Sequence, residues 1–415
     1  MSSSPPQDPS KPLNIAFMTS GGLAPCLASS IANLVKQYYF TSNLKFTVRL
    51  YKSGYKGILM GESVIVPNAD LPSLVKIFSG MGGSPIGSSR VKLTNIADCV
   101  KRGYVKEGED PLAVAAERLK FDGVDVLHTI GGDDTNTQAA QLSFYLKKGN
   151  YDLTVIGMPK TVDNDVYPIH QTLGAMTASF ESAKFFKNIV NESSCSPRML
   201  IIHECMGRHS GYLTAEAANQ YTNFLKDSGS LSLPSADLQS SCYDIHAVYI
   251  PEVDIDIEAE GARLRRVMDQ YDNVNVFLSE GAGVQDIINE KIAAGEDIEK
   301  DAFGHVRLES INPGAYFAKR LKELVGAEKV LIQKSGYFAR SAPAGQFDRD
   351  LIQSCAEVAV KAAVNSQSGV VGEDEEDGNR FGVIAFERIK GGKPFDKTLS
   401  WFTEMMAEVE AHGAL

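Results

Sequence analysis

VDVLHTIGGDDTNTQAAQLSFYLKKGNYDLTVIGMPKTVDND, residues 124–165, reads as a strand, a glycine-rich loop, a helix, a second strand and a second polar loop. Its two apolar runs, 124–130 and 153–159, are short, as strands buried on both faces are. Between them, 135–148 carries apolar residues at helical spacing. The alternation continues in both directions. NIAFM (14–18), MLIIHE (199–204), NVFLSE (275–280), VLIQ (330–333) and FGVIAF (381–386) are further strand runs. Helical spacing recurs over 28–40, 111–120, 172–192, 257–271, 315–325 and 348–366. Such repeated alternation predicts an α/β fold of parallel sheets covered by helices on both faces.

The 415 residues correspond to two or three domains at ~150 residues each. That length supports a large core without disulfide or metal staples. With 41 basic and 52 acidic residues the formal charge is −11. A balance of that sign argues against a nucleic-acid or anionic-membrane binder, and no apolar run approaches the ~18 residues of a membrane span. The opening MSSSPPQDPSKP (1–12) lacks the features of a secretory signal and reads as a disordered tail. Six cysteines without CxxC spacing point to reduced thiols in a cytoplasmic protein. The Ser-rich 226–244 and the acidic run Glu373–Asp377 read as peripheral, the latter as a solvated loop.

In folds of this kind ligands bind beyond the carboxyl ends of the strands, and the loops there are distinctive. TSGG (19–22) puts Gly21 and Gly22 before a helix, where backbone N–H groups can meet an anion. It is neither GxGxxG nor GxxxxGK[ST]. GGDDTN (131–136) offers Asp133 to Mg²⁺, which favours one or two carboxylates plus water and phosphate oxygens. Helix capping by Asp134 or Thr135 is the competing reading. MPKTVDND (158–165) supplies Lys160, Asp163 and Asp165, enough to separate a general base from a charge-positioning group. ECMGRHSG (204–211) sets Arg208 among glycines as a phosphate clamp. GGSPIGSSR (82–90) adds Arg90, and GYFARS (336–341) adds Tyr337 and Arg340. His128, His209 and Cys205 read as structural residues, and Trp401, Phe402, Met405 and Met406 as the apolar face of a C-terminal helix.

With GGDDT, PKTVDND and MGRHSG in that order, the sequence resembles the phosphofructokinase family over about residues 14–345. The second aspartate of GGDD and the lysine before TVDND resemble its pyrophosphate-dependent branch. The resemblance implies two doubly wound parallel-sheet lobes with the active site in the cleft between them. Residues 13–170 plus about 337–390 would form a donor and Mg²⁺ lobe; 171–336 plus the helix at about 397–412 would form a sugar-phosphate lobe. It implies reversible phosphoryl transfer from pyrophosphate to the 1-hydroxyl of fructose 6-phosphate, a glycolytic step, in a homodimer or homotetramer.

Position by position, the resemblance gives Gly22 a contact to the diphosphate, Asp133 the Mg²⁺, and Arg90 the transferring phosphoryl. Asp163 would accept the hydroxyl proton, Thr161 would touch the substrate and Asp165 would support the loop. Met206, Gly207 and Arg208 would bind sugar phosphate and the transferring group. Glu280 would hydrogen-bond the sugar, and Tyr337 and Arg340 would grip the 6-phosphate. Arg198 stands near a family arginine that crosses a subunit interface, and Lys334, on the strand leading into GYFARS, is a candidate for a further phosphate contact. GGLAPC (21–26) departs from the family's usual GGDxPG at Leu23 and Cys26.

Asp134 and Lys160 then set the donor. A carboxylate at ~4 Å from an α-phosphate costs about 1 kcal/mol in water and about 4 at an effective dielectric of 20. Lys160 offsets charge on a pyrophosphate as its bond breaks. An ATP-dependent phosphofructokinase is disfavoured by both residues. A non-catalytic regulatory subunit would have lost its base or metal carboxylate, yet Asp133, Asp163 and Arg208 are present. A lipid or NAD kinase with a related glycine loop would have neither PKTVDND nor MGR.

Overall fold

The computed structural model describes residues 11–41, 44–193, 195–227, 240–296 and 311–414. Most of the reading of 1–12 as a tail, and of 226–244 as a peripheral loop, lies outside these residues. The chain divides into two compact units. Unit 1 comprises Met1–Thr161, Val166–Ala175 and Arg340–Gly391; unit 2 comprises Val162–Asp165, Met176–Ala339 and Gly392–Leu415.

Unit 1 is built on a seven-stranded sheet of order β11-β10-β5-β4-β1-β2-β3. Its strands are β1 Leu13–Thr19, β2 Phe46–Tyr51, β3 Ser63–Val66, β4 Val126–Gly131, β5 Thr154–Pro159, β10 Gly369–Asp374 and β11 Arg380–Ile384. β4 and β5 sit in the centre, where every residue is buried, His128 and Thr129 included. They pair in parallel with each other and with β1 and β10. The two margins are antiparallel, β2 with β3 and β10 with β11, so the sheet is mixed at its edges rather than parallel throughout. β10 and β11 are joined by the short connection 375–379, which antiparallel pairing permits, whereas β2 and β3 enclose the helix Tyr55–Met60.

Unit 2 holds a four-stranded sheet of order β7-β8-β6-β9, parallel at every pairing. Its strands are β6 Met199–Cys205, β7 Ala247–Tyr249, β8 Asn273–Ser279 and β9 Lys329–Lys334. One apolar cluster on this sheet includes Phe186, Tyr221 and Phe277 and takes in Phe402, Met405 and Val409 of the C-terminal helix Ser400–Ala411. Trp401 and Met406 pack at its margin, which is the packing role read from the sequence. A second cluster, with Leu264, Phe317 and Leu321, covers the other strand residues.

Two local readings change. The helix expected over 172–192 begins at Ala175, because Gly174 adopts φ +92, outside the helical range. The acidic run is not a solvated loop throughout. Asp374 ends β10, is buried, and is gripped by the Arg388 guanidinium at 2.6 and 2.7 Å, which holds its carboxyl below the usual range. His128 is a core residue, bonded to the Tyr38 hydroxyl at 2.7 Å. Among the described residues no helix is long and apolar enough to cross a membrane. All six cysteines are free thiols.

Candidate active site

In unit 1 the loop after β1 and the loop 82–90 are tied together by hydroxyls. Thr19 Oγ1 donates to the Gly87 carbonyl at 2.7 Å and lies 2.7 Å from Ser84 Oγ. Ser20 Oγ donates to Ser89 O at 3.0 Å, and Ser88 Oγ returns a bond to Gly21 O at 2.8 Å. Gly21 needs its freedom: its φ is +86, and a Cβ there would sit 3.3 Å from Lys160 Nζ. A Cβ on Gly22 would meet Arg90 Nη2 at 3.4 Å. The lacing therefore brings Gly22 and Arg90 side by side, although 68 positions separate them.

Lys160 completes this group. Its ammonium donates to Gly22 O at 2.6 Å, and the residue is only 4% exposed. Its backbone N–H donates to Gly131 O at 2.9 Å, fixing the loop after β5 against the loop after β4. Gly22, Arg90 and Lys160 thus form one cationic, glycine-floored surface, suited to an anion with several oxygens. Next in sequence, the Thr161 carbonyl accepts from Thr172 Oγ1 at 2.9 Å.

The loop GGDDTN opens the helix Asp133–Lys148. Its N-cap is Gly132 and carries no side-chain bond, so neither Asp134 nor Thr135 caps it and that competing reading falls away. Both aspartates lie in the first helical turn, where the macrodipole favours them. Asp133 packs on Gly391, where a Cβ would collide with its carboxylate. Asp134 is exposed and ion-paired with Lys92 at 2.6 Å. That pairing, invisible in the sequence, partly neutralises the charge assigned to donor selection and leaves its bulk. Cys26 is buried at the start of the helix Leu27–Phe40, its thiol donating to Leu173 O at 3.4 Å.

Unit 2 presents the carboxyl ends of β6, β8 and β9. Gly207 sits at φ +130, and a Cβ there would clash with the Ser210 carbonyl. Its N–H donates to Glu280 Oε1 at 3.3 Å, and its carbonyl accepts from Ser279 Oγ at 2.6 Å. Burial raises the Glu280 carboxyl above the usual range and the Glu204 charge adds to this, while the Gly207 N–H, Lys334 and Arg208 oppose it. Lys334 is ion-paired with the buried Glu204 at 2.7 Å, and Glu204 also accepts from Gly314 N at 3.1 Å. Met206 packs on Gly336, whose Cβ would lie 3.0 Å from its Sδ.

Asp163 and Asp165 also belong to unit 2. The Asp163 carbonyl accepts from Ser210 Oγ at 2.9 Å, which joins the TVDND and MGRHSG loops. Asp165 O accepts from Lys393 N at 2.9 Å. Tyr337, on the short helix Gly336–Arg340, is 81% exposed; Arg340 is half-buried at its end and belongs to unit 1. Arg198 is engaged within its own unit, with Gly326 O at 2.7 Å and Asp269 at 2.9 Å. Lys92 and Glu204 are the charged partners that sequence reasoning missed. Burial pushes the Cys205 thiol up to about 12, in line with a structural role.

A sequence profile described as Phosphofructokinase matches residues 14–363. The chain is 52% identical over 399 residues to the pyrophosphate–fructose 6-phosphate 1-phosphotransferase of Methylomonas methanica, covering 96% of this chain and 97% of that one. It is 52% identical over 395 residues to the enzyme of the same name from Propionibacterium freudenreichii, covering 95% and 97%. A crystal structure of the pyrophosphate-dependent phosphofructokinase from Marinobacter aquaeolei superposes with a TM-score of 0.66 at 18% identity, over 94% of this chain and 91% of that one. The order of the glycine, lysine and arginine loops, the two sheets that carry them and these likenesses agree, and the chain belongs to the phosphofructokinase family.

Proposed function

We propose that this protein transfers a phosphoryl group reversibly from pyrophosphate to the 1-hydroxyl of fructose 6-phosphate, giving fructose 1,6-bisphosphate and phosphate. The observation that carries the donor assignment is Lys160, a buried ammonium fastened to the carbonyl of Gly22 beside Arg90. A cation kept out of water at the glycine loop favours a compact, highly charged donor. Relatives bearing that activity in their names align over nearly the whole chain.

Roles follow from chemistry. Asp163 takes the hydroxyl proton while the sugar oxygen forms its bond to phosphorus and the bridging P–O bond breaks. Lys160, Arg90 and Arg208 offset charge on the transferring group and the departing phosphate. Thr161, Met206, Gly207 and Glu280 hold the sugar, Tyr337 and Arg340 its 6-phosphate, and Asp165 supports the loop. Asp134 narrows the space on the donor side.

The donor set also fits Mg²⁺. No cluster of three or more His, Cys, Asp or Glu side chains able to hold a metal occurs among the described residues. A magnesium site needs only one or two carboxylates, with water and phosphate oxygens completing the shell, and Asp133 against Gly391 supplies one. Bound Mg²⁺ would supply charge neutralisation on the diphosphate. Six cysteines without CxxC spacing support a cytoplasmic location, and the assembly proposed is a homodimer or homotetramer.

The test is a rate assay with fructose 6-phosphate and Mg²⁺, with pyrophosphate in one series and ATP in another. Turnover with pyrophosphate alone supports the reading. Turnover with ATP alone overturns the roles of Asp134 and Lys160, and silence with both donors points to a sugar-phosphate-sensing subunit.

A further inference from the structure

Asp348 is the acidic residue in the first turn of the helix Gln346–Val364, and its side chain is wholly buried. A carboxylate in that position needs compensation. Part comes from the Gly174 N–H, which donates to Asp348 Oδ1 at 2.8 Å, and part from the helix terminus. The segment that carries Gly174 leads back to the donor loop. Leu173 N donates to Pro159 O at 2.9 Å and Leu173 bridges Lys160, so the segment carrying Gly174 runs beside the Lys160 strand end. A Cβ on Gly174 would lie 3.0 Å from Ala24 Cβ and 3.1 Å from Pro25, which seats the same segment on the loop of Gly22. Cys26 closes the space with its bond to Leu173 O. Its thiol proton is held well above the usual range by burial and by the Asp348 charge, with Lys160 acting in the opposite sense. Two opposite buried charges therefore act on one buried thiol.

We infer that Asp348 is a positioning residue for the donor, the counter-charge that keeps the Lys160 ammonium ionised and seated on the Gly22 carbonyl. The inference rests on the role given to Lys160 above. It also accounts for Cys26. A neutral, buried thiol on the Leu173 carbonyl fills space beside that segment without adding a third charge. Asp348 never meets the diphosphate; it acts through the lysine that does.

The test is a double-mutant cycle of Asp348→Asn and Lys160→Met in the full chain, with kcat and KM measured for pyrophosphate and for fructose 6-phosphate. The asparagine keeps the acceptor for Gly174 N–H and removes the charge. Asp348→Asn should lower kcat/KM for pyrophosphate roughly thirtyfold while the KM for fructose 6-phosphate stays within about twofold. In the Lys160→Met background the same change should have little effect, because the charge it serves is gone. Equal losses in both backgrounds would overturn the inference, as would a lowered melting temperature with unchanged kinetic constants. If Asp348→Asn does not fold, Asp348→Glu replaces it: the charge is kept but shifted, and its loss must likewise disappear beside Lys160→Met. Full pyrophosphate activity in Lys160→Met alone would instead refute the reading of Lys160, so the two failures are distinguishable.

Discussion

Replacing Lys160 by methionine keeps the length of the side chain and deletes its charge, which separates folding from catalysis. The wild-type ammonium donates to Gly22 O at 2.6 Å and is almost fully buried. Losing that hydrogen bond costs about 1–3 kcal/mol, and methionine leaves the buried Asp348 carboxylate without its counter-charge. The melting temperature should therefore fall, and rates are compared on the folded fraction. The catalytic loss is separate from this. A cation ~4 Å from a phosphoryl oxygen at an effective dielectric of 20 contributes about 4 kcal/mol, which is close to 10³-fold in rate. Initial rates with pyrophosphate, fructose 6-phosphate and Mg²⁺ should show that loss in kcat/KM for pyrophosphate. The reverse reaction should fall equally, since both directions share one transition state. The KM for fructose 6-phosphate should hardly change. A folded variant that loses less than about tenfold would refute the electrostatic role.

Three further outcomes follow from the site and the core. Gly391→Ala should displace the Asp133 carboxylate and raise the Mg²⁺ concentration needed for half-maximal rate, read from a metal titration; an unchanged titration would remove Asp133 from the metal. Because burial raises the Glu280 carboxyl, the KM for fructose 6-phosphate should climb, as pH falls, at a pH above the ~4.3 of an ordinary glutamate. Glu280→Gln should raise that KM at neutral pH and flatten its acid limb. Burial lowers both His128 and His203 to about 3. The unfolded chain therefore binds more protons than the folded one as pH drops from about 6.5, so stability is lost toward acid, by about 2 kcal/mol per histidine at pH 5. Denaturant melts of His128→Phe across this range should lose acid sensitivity relative to wild type; an identical pH slope would contradict the shift.

The centre of each sheet was legible because its strands are short, largely apolar runs, and the margins were not. β2, FTVRLY, carries Arg49 in its interior; only the fold shows that Asp122, 3.6 Å away, lets a charge sit in that strand. β7 spans three residues, too few for a period to register. The helix Tyr212–Asp227 was missed because its buried face includes Thr214 and Glu216, polar residues that blur the apolar stripe. At the site, residue types in loops were readable and their pairings were not. Nothing in GGDDTN announces that Asp134 faces Lys92, because ion pairs between distant loops leave no local pattern. Asp348 reads as an ordinary first-turn acid until burial and the Gly174 contact are known.

The hydroxyl stitching between the loops after β1 and at 82–90 has a bearing on how the enzyme responds to salt. Thr19, Ser20, Ser84, Ser88 and Ser89 hold the glycine floor and Arg90 in register through neutral bonds. Ions screen the exposed Arg90 as an attractor, over a Debye length of about 8 Å at physiological strength, yet have less hold on the buried Lys160 and little on an uncharged scaffold. Rising ionic strength should therefore weaken capture of the diphosphate while sparing turnover once it is bound. The cations in this pocket recruit; the serines keep the shape of what they recruit to.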